Sequence, residues 1–209
     1  QWSAGYGEES DTYDINDLGF LNNNNERNLN GSITFNQFEP WWIFNNFNLG
    51  FWNGANWLYS PDEFTGYRMN FWGWGRTRKF FAFGFRTYFE PVREYDYFEP
   101  RTDDFSRYYR GPKVANLQGW FSTDYRKKLA LDLELEAGLT DENGRREISV
   151  EFGPRFRVND KLSFNWEVEV ESSLKEEGWV HTNDETGDII FGVRDNVELT
   201  NLLNTTYTF

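Results

Sequence analysis

From residue 129 the chain reads LALDLELEAG, with Leu129, Leu131, Leu133 and Leu135 at every second position and Asp132, Glu134 and Glu136 between them. Successive side chains of a β-strand point to opposite faces, so this spacing predicts one apolar and one acidic face. The same alternation recurs along the chain. Ile148, Val150, Phe152, Phe156 and Val158 oppose Glu147, Ser149, Glu151, Arg155 and Arg157. Leu162, Phe164, Trp166, Val168 and Val170 oppose Ser163, Asn165, Glu167, Glu169 and Glu171. Helical spacing of apolar residues is not found, so the chain is read as all-β. Turn chemistry divides it into about twelve strands. They lie near 1–8, 28–38, 42–57, 64–75, 80–90, 115–125, 129–140, 146–158, 162–173, 177–182, 187–193 and 197–209.

Two architectures want such strands. A soluble sandwich turns the leucines inward, whereas a membrane barrel turns them outward to lipid and the carboxylates inward to a lumen. Strand length favours the barrel, because many of these spans exceed the usual ~5–6 residues and match the ~9–11 of a tilted transmembrane strand. The connections agree. Glu39-Pro40, Arg76-Thr77-Arg78-Lys79, Arg126-Lys127-Lys128 and Val158-Asn159-Asp160-Lys161 are short, whereas 9–27 and 91–114 are long. Short turns on one rim and long loops on the other suit an outer-membrane barrel, with the long loops extracellular or folded inward as a plug. The fold expected is therefore an antiparallel transmembrane β-barrel of outer-membrane type, residues 1–209 forming one barrel domain or a section of a larger barrel.

Composition sharpens this picture. Aromatic residues make up 20% of the chain, with 10 Trp, 11 Tyr and 21 Phe, which suits interfacial girdles better than a soluble core. With 34 Asp plus Glu against 21 Lys plus Arg, the net charge is -13, which argues against a nucleic-acid partner. Cysteine is absent, excluding disulfides, thiolate metal sites and cysteine nucleophiles. No apolar run reaches the roughly 18 residues of a spanning helix, a length that barrel strands do not need. The chain opens on Gln1 with no signal peptide in view, as expected of a processed product or an excised piece.

Several constellations bear on function. Asp132, Glu134, Glu136, Glu151, Glu167, Glu169 and Glu171, with Arg155 and Arg157, form a periodic ladder rather than a pair of carboxylates set apart in environment. They are expected to line a hydrated lumen that favours cations or polar neutral solutes over anions. His181 is the one histidine, so any Ser-His-Asp hydrolase would have to use it, yet no Gly-x-Ser-x-Gly elbow is present. Asp14, Asn16 and Asp17 are oxygen ligands close together, but their spacing departs from the calcium-loop pattern and Asx-turns account for them. No catalytic residue, cofactor site or metal site is expected. The tryptophan clusters around Trp41, Trp52 to Trp57 and Trp72 suit a girdle, with stacking on sugar rings as the other reading. Arg101, Arg107 and Arg110 sit among acids and tyrosines in the longest loop, which binds a ligand or folds inward as a plug.

YDINDLGFLNNNN at 13–25, EPRTDDFSRYYRGP at 99–112 and GDIIFGVRDNVELTNLLNTTYTF at 187–209 resemble the β-barrel region of a group of Bacteroidota outer-membrane proteins, domain of unknown function 5916. Tyr13 to Phe20 is the most specific part of the likeness, which spans most of the chain. The resemblance implies an outer-membrane location. It also implies a role in glycan handling, since members usually carry a carbohydrate-binding family-9-like module before the barrel. The function expected is non-enzymatic: a channel for polar solutes or the membrane base of a glycan-handling surface protein. The alternatives are an anchor subunit of a larger envelope complex and a membrane-embedded hydrolase. The partners expected are the lipid bilayer and lipopolysaccharide, with other envelope proteins and glycans as further possibilities.

Overall fold

The computed structural model describes residues 1–14, 24–102, 106–183 and 185–209. Ten strands form one antiparallel sheet: β1 (Trp2–Glu9), β2 (Glu26–Gln37), β3 (Phe44–Leu58), β4 (Phe64–Thr77), β5 (Ala82–Glu90), β8 (Val114–Ser122), β9 (Leu129–Thr140), β10 (Arg146–Arg157), β11 (Leu162–Thr182) and β12 (Ile189–Tyr207). Each pairs with the next in that order, a plain meander. The loop between β5 and β8 carries a separate two-stranded ribbon, β6 (Tyr95–Asp96) with β7 (Tyr109–Arg110). Among the described residues there is no helix. The all-β, antiparallel expectation is thus met, in one ten-stranded sheet rather than the two packed sheets of a sandwich. The described strands do not close into a barrel: β1 and β12 are two free edges.

Strand boundaries differ from the sequence reading at the C-terminal end. The spans near 162–173 and 177–182 are one strand, as are those near 187–193 and 197–209. A bulge between Ser173 and Glu176 takes up the polar interruption, with Lys175 at φ 53° and its backbone N–H donated to Asp195 Oδ1 at 2.8 Å. The side chains that resemble a turn in sequence thus pair the two long strands across a local kink. The two-residue strands β6 and β7 are too short to show alternation, which is why 91–114 reads as plain loop.

In a meander, alternate connections share an end. The strand ends joined by the β2–β3, β4–β5, β8–β9 and β10–β11 connections lie at one end of the sheet, and those joined by the β1–β2, β3–β4, β5–β8, β9–β10 and β11–β12 connections at the other. The register aligns side chains into rows across the sheet. Phe35, Leu49, Gly73, Phe85, Gly119, Leu135, Val150, Val170 and Leu199 stand opposite one another on successive strands. One residue along, the row is Asn36, Asn48, Trp74, Gly84, Trp120, Glu134, Glu151, Glu169 and Thr200. One face is therefore apolar from β2 to β12 and the other polar.

Packing energetics single out the apolar face. Among the described residues only Leu58, Tyr97 and Ala130 are buried hydrophobics, while Leu135 is 49% and Leu199 67% exposed. The accessible surface is 14180 Å², against about 10,200 Å² expected for a compact 24.9 kDa monomer. Among the described residues no second layer covers the apolar face. Near the short-turn end its rings touch one another: Phe35, Trp41 and Phe44 each pack on Phe47 at 5.4–5.8 Å between centroids, Phe44 packs on Phe83 at 5.7 Å, and Phe81 stacks on Phe121 at 5.7 Å. The basic turns lie just beyond. Arg126 sits over the Phe80 ring at 3.3 Å and gives two side-chain N–H bonds to Asp124 at 2.8 Å, which hold that carboxyl down to about 2.

Candidate functional site

The polar face is the candidate site. Period-two alternation puts all nine candidate wall residues on it: Asp132, Glu134 and Glu136 from β9, Glu151, Arg155 and Arg157 from β10, and Glu167, Glu169 and Glu171 from β11. Glu134, Glu151 and Glu169 stand directly opposite one another on three adjacent strands. Like charges so placed repel, and neutral donors offset part of the cost. Gln118 Nε2 donates to Glu134 Oε1 at 2.5 Å, Asn116 Nδ2 to Glu136 Oε1 at 2.7 Å and Ser149 Oγ to Glu169 Oε1 at 3.1 Å. Arg155 and Arg157 lean toward the short-turn end instead. Arg155 lies over the Tyr125 ring at 4.5 Å, and Arg157 Nη2 donates to the Tyr125 carbonyl at 3.4 Å. Among the described residues neither arginine pairs with a wall carboxylate.

The other half of this face, on β3, β4, β5 and β8, is built differently. Trp52, Trp72, Trp74 and Trp120 line a cavity of about 1110 Å³ there with Asn70, Asn116, Gln118 and Arg86, and Asn48 stands opposite Trp74 on the same face. The tryptophan clusters of the sequence are thereby divided. Trp41 and Trp42 remain exposed at the short-turn end, beside the ring contacts of the apolar face, whereas Trp52, Trp72 and Trp74 face the cavity. The signal was present in the parity of the sequence: Trp72 and Trp74 fall in step with Arg68, Asn70 and Arg76.

The loop between β5 and β8 crosses the long-loop end of the polar face and is fastened to both sides. On the β4 side, Arg68, which pairs with Glu90 at the end of β5 at 3.0 Å, hydrogen-bonds Glu94 of the loop. At the β9–β10 turn, Arg93 Nη2 meets Asp141 Oδ2 at 2.9 Å. On the β11 side, Trp179 N–H donates to Glu99 Oε1 at 2.7 Å and Tyr109 Oη to Glu177 Oε2 at 2.9 Å. Tyr109 also accepts from Arg145 Nη1 at 2.8 Å and stacks on Phe191 at 5.0 Å. Arg101 lies over the Trp179 ring at 4.0 Å, and Arg107 Nη1 donates to the Gly187 carbonyl at 2.8 Å, so both bind the β11–β12 side. Arg110 is exposed and pairs with Tyr95 in the ribbon. Cavities of about 350 Å³ flank Glu94 on either side, so the loop roofs this end without filling it.

Of the remaining candidates, His181 is exposed near the end of β11, opposite Ile190. Asp14 is exposed beyond β1, and Asn16 and Asp17 lie outside the described residues. Among the described residues no group of three or more His, Cys, Asp or Glu could hold a metal ion.

The family model described as "Domain of unknown function (DUF5916)" matches residues 1–209, the whole length of the sequence. The chain belongs to this family. No curated protein and no solved structure matches it. For this DUF5916 chain the roofing loop offers a pH-dependent observable. Burial pushes the Glu94 carboxyl up from its ordinary value, Arg68 opposes that shift, and Glu90 and Asp96 add to it. A raised carboxyl binds its proton more readily in the docked loop than in the free one. Docking therefore strengthens as pH falls through the raised value, and levels off below the ordinary value of 4.5. The Gly111 amide, which donates to the Glu94 carbonyl at 2.9 Å, reports this. Its hydrogen-exchange protection factor is expected to be higher at pH 5 than at pH 7.5, and to lose that difference in Glu94→Gln. A native protein protected equally at both pH values would refute the linkage.

Proposed function

We propose that this chain forms the wall of an outer-membrane β-barrel, with its apolar face against lipid and its polar face toward a water-filled lumen that admits polar solutes. The observation that carries this reading is the continuous, exposed apolar face of the ten-stranded sheet, which no second layer covers among the described residues. An apolar surface of that extent is unstable in water, and soluble monomers rarely expose patches above a few hundred Å². Strands of 12 to 21 residues from β9 to β12 exceed what a tilted crossing needs. The ring contacts near the short turns, with Lys and Arg just beyond them, suit an interfacial girdle. Fractionation of the native cells tests the reading. The polypeptide should remain in the outer-membrane pool after carbonate washing, and recovery only in the soluble pool would overturn it.

The acidic rows make the lumen cation-preferring on this reading. In a planar bilayer with a salt gradient, the reversal potential is expected to favour cations. Exchanging Glu134, Glu151 and Glu169 together for glutamine should shift it toward zero. A native potential of anion-selective sign would eliminate the charge argument. The loop across the polar face favours a second reading within the same location, in which the barrel is the membrane base of a surface assembly and conducts little. Solute flux through purified proteoliposomes separates the two.

A further inference from the structure

We propose that the polar face carries a binding strip for neutral oligosaccharide chains, made by the indoles of Trp52, Trp72, Trp74 and Trp120 and the amides between them. The proposal rests on reading that face as the wet one, and it names the solute class. The starting point is an energetic oddity. An indole is among the largest apolar side chains, and the apolar face of the same strands is available to it. Four indoles instead stand among Asn48, Asn70, Asn116, Gln118 and Arg86.

Glycines explain how the rings lie. A Cβ built on Gly50 would fall 2.1 Å from the Trp72 ring, one on Gly54 2.6 Å from Trp52, and one on Gly84 2.6 Å from Trp120. Gly50 is the register partner of Trp72, and Gly84 is that of both Trp74 and Trp120. Each of these three rings therefore covers a glycine, so it lies flat on the sheet and turns one π-face to the cavity. The Trp72 ring is further fixed by its Nε1–H bond to Asn48 Oδ1 at 3.0 Å. Trp74 and Trp120 share one cross-strand row with β5 between them, which at the usual strand spacing sets them about 10 Å apart.

Flat aromatic faces bordered by amides match the chemistry of a pyranose, which has an apolar C–H face and a rim of hydroxyls that donate and accept. The charges on the page select for neutral chains. Glu134 and Glu136, on the strand next to Trp120, repel acidic sugars. Arg86, directly opposite Trp72, disfavours a cationic guest on that ring. The cavity of about 1110 Å³ is open along the sheet and exceeds the usual ~300–1,000 Å³ of a small-molecule pocket. Its extent suits a chain of rings rather than a single one.

The test uses the purified protein in lauryldimethylamine oxide, a detergent without a sugar headgroup. Calorimetry and tryptophan fluorescence follow titration with maltohexaose, cellohexaose and xylohexaose, with hexagalacturonate and spermidine as charged comparators. At least one neutral chain is expected to bind saturably. Affinity should fall roughly tenfold or more in Trp72→Ala and Trp120→Ala. It should fall similarly in Gly84→Val, which keeps the Trp120 indole but displaces it. Trp166→Ala, on the apolar face, should bind as the native protein does, and unchanged circular dichroism confirms that each variant is folded. Failure of all three neutral chains to bind, equal binding by Gly84→Val and the native protein, or binding of a charged comparator alone overturns the strip. The measurement does not depend on cellular location. A membrane-resident protein that binds no sugar removes the strip alone, and a sugar-binding protein recovered only in the soluble pool removes the membrane reading alone.

Discussion

Replacing Leu135 with arginine is expected to lower the unfolding free energy in lipid vesicles by about 2–4 kcal/mol, the cost of a guanidinium on the lipid face of a barrel near the bilayer midplane. Leu135 is near the middle of β9, paired with Gly119 on one side and Val150 on the other, and is 49% exposed. If water covered this face, the same substitution would be a surface change worth about ±0.5 kcal/mol or less. The two environments therefore differ by a factor of at least about 10 in the folding equilibrium. Glu134→Gln, one residue away on the opposite face, is the control, because it removes a charge from a crowded carboxylate row without burying one. Urea unfolding in vesicles, followed by tryptophan fluorescence, reads both. A Leu135→Arg variant as stable as the native protein would leave the apolar face without lipid.

The faces were legible in the sequence because every long strand repeats with a period of two. Leu129 to Glu136 and Ile148 to Arg157 are sufficient to sort the leucines from the carboxylates, and all nine wall candidates do share a side. Alternation says nothing about closure, because each strand looks the same whether its sheet ends beside it or continues. The sequence reading divides the two long C-terminal strands at 174–176 and 194–196, where polar residues signal a turn locally and a capped bulge only once β11 and β12 are paired. The glycine under each indole was hidden for the same reason. Gly50 and Trp72 are neighbours across strands, and no local window contains both. The roofing loop depends on contacts such as Glu99 with Trp179, which are 80 residues apart in sequence.

Replacing residues 95–110 with a short Gly-Ser turn is expected to raise solute flux through proteoliposomes by roughly tenfold or more, since conduction is governed by the narrowest obstruction on the path. The loop is held by many modest contacts rather than one strong one. Its partly exposed ion pairs, Arg68 with Glu94 and Arg93 with Asp141, contribute only about 0–1 kcal/mol each. Tyr109→Phe removes two hydrogen bonds, worth about 1 kcal/mol apiece, and keeps the stack on Phe191. The remaining contacts, among them the buried Tyr97 and Pro100, should hold the roof in place, so that this variant stays near native flux. On the proposed barrel reading, the pair of results separates two origins of a low flux. High flux after loop replacement alone means that the roof limits passage and that a partner able to lift it would open the lumen. Flux that stays low in the loop-replaced protein, with its β-sheet circular dichroism intact, means that the obstruction lies elsewhere. The loop would then serve to tie β4 to β11, a strut across the polar face rather than a barrier to solutes.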